Sequence, residues 1–207
     1  MEFRLFYWGN QLSSSGKNAM DQHAIRKQFH PQLKRLWESN PKLIKLAEAY
    51  GHAWVTSVDA EQMSDQNAAR RKAFFRRMGE IYHRGYHHFI PLVTEDLCLR
   101  VALDILFLRP DSLPLIQKSG DIDNRLKTLF DALRVPSMNV GMSAPEPDEE
   151  PFYVLLQDDN LISDIRVTTD NLLLPPHGRE LNAKDAFLEI HVKLAIAERV
   201  AKSWAFE

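Results

Sequence analysis

The sequence predicts an α+β protein, with a mixed β-sheet against which several helices pack. Apolar residues recur at helical spacing through much of residues 20–90, while short stretches typical of strands dominate the second half. Of the 207 residues, 44% are hydrophobic, which is enough to bury one core. We therefore expect one domain over residues 1–207, with a helical N-terminal region at about 20–90 and a core at about 97–195.

The first half is predicted to open with a strand at Phe3–Trp8 and to continue in three helices. Apolar positions predict the first helix from about Asp21 to Glu38. Pro41 fits the first turn of the second helix, which runs to Tyr50. Ser64 is the expected cap of a longer third helix over residues 64–88.

In the second half, one predicted helix lies among four predicted strands. The helix is Asp123–Leu133, where apolar residues recur at i, i+3, i+4 and i+7. The segment from Arg134 to Pro151 is rich in proline and acidic residues and predicts an exposed loop. The predicted strands are Leu97–Leu108, Phe152–Leu156, Ile162–Thr168 and Ala186–Leu194, the last of which continues into a short helix up to Trp204.

Charge is divided unevenly along the chain. The formal net charge is −2, but residues 1–100 carry 15 Lys/Arg and 10 Asp/Glu, or +5, whereas the remainder carries 11 and 18, or −7. This division suits a protein that binds a polyanion with its basic part and divalent cations with its acidic part. The single cysteine, Cys98, and the lack of a long apolar segment or secretory signal predict a cytoplasmic protein that does not enter a membrane.

The segment Gly120–Leu133 and the later Gln157-Asp-Asp-Asn160 contain the residues best suited to chemistry. Asp121 and Asp123 are two residues apart, so inside a regular helix their side chains would point about 200° from each other. They can face one ion only from the irregular turn that precedes the helix.

The helix itself is expected to have a charged side and a core side. Asp123, Lys127 and Asp131 are spaced by four residues and therefore share one face. Carboxylates at the start of the helix are favoured by its dipole, and the free backbone N–H groups there can meet a phosphate. The opposite, buried stripe consists of Leu126, Leu129, Phe130 and Leu133.

Asp158 and Asp159 follow the predicted strand Phe152–Leu156, and one of them would complete a three-carboxylate site with Asp121 and Asp123. Such hard oxygen ligands favour Mg²⁺ or Mn²⁺, ions that bind phosphates and make water a better nucleophile. Haloacid-dehalogenase phosphatases and many glycosyltransferases also use Asp-x-Asp, but there it follows an apolar strand. The preceding residues here, Ile-Gln-Lys-Ser-Gly, argue against both classes.

The pattern Asp-x-Asp-Asn-x-x-Lys-x-x-x-Asp-x-Leu, followed by a strand that ends in Asp-Asp, resembles the RusA family of Holliday-junction resolvases, endonucleases of bacteria and their phages. The resemblance covers about residues 97–170 and is densest in 120–133. It implies a RusA-like core and a Mg²⁺-dependent endodeoxyribonuclease, with Mn²⁺ as the alternative ion, that acts on branched DNA in recombination and repair. It also implies a homodimer whose two sites nick a four-way junction symmetrically, leaving a 5′-phosphate and a 3′-hydroxyl.

The resemblance also implies roles for individual residues. Lys127 would be essential, and we interpret it as the group that stabilises charge on the phosphate or on the leaving oxygen. An ordinary ion pair with Asp123 and Asp131 is the alternative for this lysine. Asn124 and Asp131 would support the site. The metal ligands would be Asp121, Asp123 and Asp159, with Asp158 as their neighbour.

A basic run on the third predicted helix is a candidate DNA-binding surface, since only Glu80 is acidic between residues 70 and 84. A phosphate-contacting surface there would bind DNA with a steep salt dependence. An ordinary solvated helix face explains the run equally well. His83, His87 and His88 include an i, i+4 pair that can hold zinc, but we favour surface or DNA-contacting histidines. Together with Lys127, the DNA-binding candidates are Arg70, Arg71, Lys72, Arg76, Arg77 and Arg84.

Two other functions are compatible with the sequence. One is a related nuclease with a different DNA substrate. The other is a catalytically silent RusA-like DNA-binding or phage-associated protein, in which the carboxylates are too far apart to share one ion.

Overall fold

The computed structural model describes residues 1–12, 19–57, 59, 63, 65–110, 122–137, 144–173, 182 and 185–196. These residues include four α-helices and seven β-strands, which confirms the α+β class. The helices are α1 (Ala19–Ser39), α2 (Pro41–Gly51), α3 (Gln66–Ile81) and α4 (Ile122–Leu133). The strands are β1 (Glu2–Gly9), β2 (His83–Arg84), β3 (His87–Val93), β4 (Leu99–Arg109), β5 (Phe152–Leu156), β6 (Ile162–Asn171) and β7 (Ala186–Ile196).

The strands form two sheets, and each contains both parallel and antiparallel pairs. The larger sheet has the order β1-β7-β4-β6, in which β4 and β6 are parallel while the other two pairs are antiparallel. The smaller sheet has the order β2-β3-β5, with an antiparallel β2-β3 hairpin and a parallel β3-β5 pair. The predicted mixed sheet is therefore present, although it is divided in two.

The core lies where α1 packs against β1, β5 and α4. Alternate residues of β4 from Leu99 to Phe107 are buried, as expected for a strand with one face toward the core. Helix α1 contributes Ile25, Phe29, Leu33 and Trp37, which recur at helical spacing and are each no more than 2% exposed. All five residues of β5 are buried, so the strand that leads to Asp158 is held on both faces.

The β1 edge of the larger sheet is closed by two glutamines of α1. Gln32 accepts a hydrogen bond from the Phe6 backbone N–H at 2.9 Å and donates to the Phe6 carbonyl at 2.7 Å. Gln28 likewise accepts a hydrogen bond from the Trp8 backbone N–H at 3.1 Å and donates one to the Trp8 carbonyl at 2.9 Å. The outward backbone groups of Phe6 and Trp8, which an outer strand would leave unpaired, are thus satisfied within the chain.

The predicted third helix is too long, and the prediction does not include the two strands that follow it, β2 and β3. Helix α3 is capped by Asp65, whose side chain accepts from the Asn67 backbone N–H at 2.8 Å; the predicted cap, Ser64, lies outside the described residues. The helix ends at Ile81, and a hairpin replaces its predicted last turns. Gly85, with a φ of 63°, permits the tight turn between β2 and β3.

The other predicted elements within the described residues are confirmed, with ends that shift by at most three residues. The predicted loop after Arg134 contains a short 3-10 turn at Pro147–Glu149. The C-terminal helix predicted to reach Trp204 falls on residues 197–207, which are outside the described part. None of the described helices combines the length and apolar character needed to cross a membrane.

Replacing both glutamines, as Gln28→Met with Gln32→Met, should destabilise the protein by roughly 2 kcal/mol, because four backbone hydrogen bonds are lost while side-chain volume is kept. Urea denaturation measures the change in the free energy of unfolding. Arg35→Met, at an exposed position of the same helix, is the matched control and should change it by less than about 0.5 kcal/mol. Equal stability of the double variant and the control would contradict the role of the glutamines.

Candidate functional site

The end of α4 is joined to the end of β5 by backbone hydrogen bonding. Arg134 forms an isolated parallel bridge with Leu156, and the Val135 N–H donates to the Leu156 carbonyl at 2.9 Å. One residue further, the Gln157 N–H donates to the Val93 carbonyl of the neighbouring strand, also at 2.9 Å. Asp158 and Asp159 follow directly, so this junction fixes their position relative to the helix.

Arg134 lies among three carboxylates at this junction. Its guanidinium donates to Asp131 Oδ1 at 2.7 and 3.1 Å, and its nitrogens are 3.9 Å from Asp158 Oδ2 and 4.0 Å from Asp159 Oδ2. Burial alone would lower the pKa of Arg134, but the hydrogen bond to Asp131 and the charges of the three aspartates raise it. Arg134 was not among the predicted site residues, although its i, i+3 spacing from Asp131 is a detectable signal.

Asp131 is held from the other side by α1. The Arg26 guanidinium donates to the Asp131 carbonyl at 2.8 Å, and the Gln22 amide donates to Asp131 Oδ2 at 3.2 Å. Burial and the nearby charge of Arg134 lower the pKa of Arg26 to about 10, against the opposing charge of Asp131. Asp131 is therefore a structural centre that links α1, α4 and Arg134.

Asp123 and Lys127 are exposed on α4, one turn apart. The Asp123 carboxylate accepts a hydrogen bond from the Asn124 backbone N–H at 2.6 Å. Lys127 forms no ion pair with any residue in the described part of the chain, so the alternative in which it pairs with Asp123 and Asp131 has no support there. Asp131 instead pairs with Arg134.

The buried face of α4 differs from the predicted stripe. Leu129 and Leu133 are buried as predicted, but Leu126 and Phe130 are only partly buried. The shift arises because α4 packs against α1 and also meets the segment after β1, where Arg125 donates to the Leu12 carbonyl at 2.6 Å. The remaining buried residues of α4 are Arg125, Thr128 and Ala132.

The predicted metal ligands are only partly brought together. Asp158 and Asp159 lie beside the C-terminal end of α4, whereas Asp123 is in its first turn, eight residues or about 12 Å of helical rise from Asp131. Asp121 lies outside the described residues. Among those described, no group of three or more His, Cys, Asp and Glu side chains is arranged to hold a metal ion.

The chemistry of the acidic pair nevertheless suits a divalent cation. The Asp158 and Asp159 side chains are 43% and 49% exposed, and Arg134 is too distant to donate a normal hydrogen bond to either. Asp158 uses one oxygen to accept from the Asn160 N–H at 3.1 Å, which fixes the short turn Asp159–Leu161. Hard oxygen atoms therefore remain open to solvent at the end of a rigid strand.

Three of the seven predicted DNA-binding cations have acidic partners in the protein. Arg71 pairs with Glu48, Arg76 with Asp59 at 2.8 Å, and Arg77 with Glu80 at 3.2 Å. Hydrogen bonds from Arg76 and Thr56 hold the pKa of the Asp59 carboxyl well below its usual range. The first two pairs tie α3 to Glu48 of α2 and to Asp59, and the third lies within α3. The predicted cations without an acidic partner among the described residues are Arg70, Lys72, Arg84 and Lys127.

The three histidines do not form the predicted helical pair, because residues 83–88 form a hairpin. The rings of His83 and His88 meet across it at 4.7 Å, and His88 Nδ1 lies 2.6 Å from Glu150. His87 is fully buried against Phe152, so its interpretation as a surface or DNA-contacting histidine is wrong.

Two further buried histidines lie on α1. His30 accepts from the Tyr153 N–H through Nδ1 at 2.9 Å, and its Nε2 lies 3.0 Å from the Asp148 carbonyl, an arrangement that fits a neutral ring. Neither nitrogen of His23 has a hydrogen-bond partner among the described residues. Burial, then the charges of Arg26, His87 and Lys27, lower the pKa of His23 to about 4.

Comparisons with known proteins identify no relative of this chain. No protein-family model matches the chain, no curated protein matches it, and no solved structure matches its fold.

Arg134→Met should lower the free energy of unfolding by about 1–3 kcal/mol, because Asp131, Asp158 and Asp159 would then lack the cation between them. Divalent cations should restore part of the loss. The measurement is the melting temperature with and without millimolar Mg²⁺. Lys127→Met, which removes an exposed cation of the same helix, should have little effect on stability, and an equal effect of both substitutions would refute the assignment.

Stability should fall as the pH drops from about 6.5 toward 4, in part through His23. The folded protein favours the neutral ring, so protonation is easier in the unfolded chain and removes up to about 3 kcal/mol across this window. His23→Phe should flatten the dependence of the unfolding free energy on pH. His52→Gln, at an exposed histidine, should leave the wild-type slope, and a His23→Phe slope equal to that of wild type would contradict the argument.

Proposed function

We propose that this protein is a Mg²⁺-dependent, structure-selective DNA endonuclease of the RusA type, a Holliday-junction resolvase-like enzyme that acts as a homodimer in recombination or repair. The observation that carries the proposal is the junction between α4 and β5. It puts the Asp158-Asp159 pair at the end of the same helix whose exposed first turns carry Asp123 and Lys127. The order of these residues along the chain is the one that resembles the RusA family.

In the proposal, the cation is held by Asp121, Asp123 and Asp159, with Asp158 beside them. The exposed carboxylate oxygens of Asp158 and Asp159 are the type of ligand that a hard divalent ion such as Mg²⁺ prefers. The described residues do not form the full set alone, so the proposal requires Asp121 and an approach of the first turn of α4 to this pair. When bound, Mg²⁺ supplies Lewis acidity and a water of lowered pKa.

The chain's own residues supply the remaining functions. Lys127 is exposed and has no ion-pair partner among the described residues, so its ammonium is available to a phosphate oxygen on which charge develops. Asn124 follows Asp123 and donates its backbone N–H to that carboxylate, which orients it. Arg134 and Asp131 hold the last turn of α4 next to Asp158 and Asp159.

DNA would be bound by cations outside the catalytic residues. Arg70, Lys72 and Arg84 are the members of the basic run without an acidic partner in the described part of the chain. Since each phosphate contact adds to the salt dependence of binding, this small set fits a modest salt slope better than the full run does.

A second candidate function is a catalytically silent DNA-binding relative. It is favoured by the position of Arg134, which already places a positive charge among Asp131, Asp158 and Asp159, while Asp123 lies about 12 Å of helical rise from Asp131. In that case the carboxylates would shape the surface without sharing an ion. The two candidates differ in metal-dependent cleavage.

The test of the proposal is cleavage of a synthetic four-way junction with and without Mg²⁺, beside linear duplex and flap substrates. Asp123→Asn and Asp159→Asn should each lower cleavage at least a hundredfold while DNA binding is kept or improved, since a repelling charge is removed. Electrophoresis of end-labelled strands measures cleavage, and fluorescence anisotropy measures binding.

Glu38→Gln serves as the matched control, because Glu38 is exposed in the last turn of α1, whereas the contacts of that helix with Asp131 come from Gln22 and Arg26 in its first half. It should cleave at the wild-type rate. Binding of the junction by the wild type without any Mg²⁺-dependent nicking would overturn the nuclease proposal in favour of the silent one. Cleavage of flaps in preference to junctions would retain the nuclease and replace its substrate.

A further inference from the structure

Strand β6 is an outer strand of the larger sheet. It pairs with β4 on one side, and no described strand pairs with its other side. Eight of its ten residues, Ser163–Arg166 and Thr168–Asn171, are exposed. Ile165 is 45% exposed, although it aligns with Leu103 on the core face of β4. A long, apolar-containing edge of this kind is a template for another strand.

The two edges of this sheet are treated differently. At β1, Gln28 and Gln32 satisfy the outward backbone groups of Trp8 and Phe6. At β6, the described side chains provide nothing comparable: the one side chain that bonds to its backbone is Asp170, which accepts from the adjacent Asn171 N–H. The strand also lacks the lysines and prolines that commonly protect an edge.

The charges of β6 are complementary to themselves. Asp164 and Arg166 flank Ile165, and neither forms an ion pair with a residue in the described ranges. If two copies pair antiparallel about an axis at Ile165, Asp164 of each copy lies opposite Arg166 of the other. Directly opposed side chains in such a pair are close enough to interact, and Ile165 then meets its own counterpart.

We propose that β6 is the surface through which two copies of this chain associate, by antiparallel pairing centred on Ile165. The two four-stranded sheets then become one eight-stranded sheet. The homodimer itself belongs to the proposed function, on which this inference rests, and β6 is its proposed interface. This interface would also bring the two acidic pairs of the dimer near the two-fold axis. Because Asp159 is six residues before Ile165, each acidic pair lies no more than about 20 Å along the chain from the two-fold axis.

The experiment measures molar mass by light scattering over a range of protein concentration up to about 100 µM, with wild type and charge variants. Wild type should reach twice its chain mass of 23.9 kDa. Asp164→Lys and Arg166→Glu should each weaken association at least tenfold, because each places two pairs of like charges in contact. The combined Asp164→Lys/Arg166→Glu variant restores opposite charges and should dimerise like the wild type.

Asp170→Lys is the matched control, since Asp170 is on the same strand but beyond the paired residues in this register, and it should dimerise normally. A wild type that stays monomeric throughout the range, or a double variant no better than its single parents, would overturn the proposal. Because mass is measured without DNA or metal, these results do not depend on cleavage. If the protein cleaves junctions and dimerises through another surface, the β6 interface is wrong and the proposed function stands.

Discussion

The site depends on the joining of a helix end to a strand end. The bond from the Val135 N–H to the Leu156 carbonyl, and the next one from Gln157 to Val93, fix α4 against the smaller sheet. Since β5 is buried along its whole length, the residues that follow it have little freedom. Asp158 and Asp159 are therefore positioned by a rigid strand rather than by a flexible loop.

The charge arrangement follows from that junction. Carboxylates from α4 and from the end of β5 would repel one another without a cation, and Arg134 supplies one at the end of the helix near Asp131. In the first two turns of the helix, Asp123 and Lys127 remain exposed. The protein thus satisfies its structural charges internally and leaves its candidate chemical groups open to solvent, which is the arrangement that a phosphodiester-binding site needs.

Much of the fold was predictable because most elements follow their local period. Helices α1 and α4 and strands β4–β7 have clear apolar patterns, and these were confirmed. The hairpin was missed because the basic, helix-favouring residues of α3 continue close to Gly85, and the tertiary pairing of β3 with β5 outweighs local preference. The fully buried His87 likewise reflects packing, which a sequence period does not show.

The candidate site was predictable by residue type and less so by geometry. The Asp158-Asp159 pair at the end of β5 was expected, but the position of Arg134 depends on a bridge between residues 22 positions apart. The most direct test is anomalous diffraction from crystals that contain Mn²⁺. One ion should be bound, at about 2.2 Å, by oxygens of both Asp123 and Asp159. An ion bound by only one of them, or none at this site, would contradict this assignment.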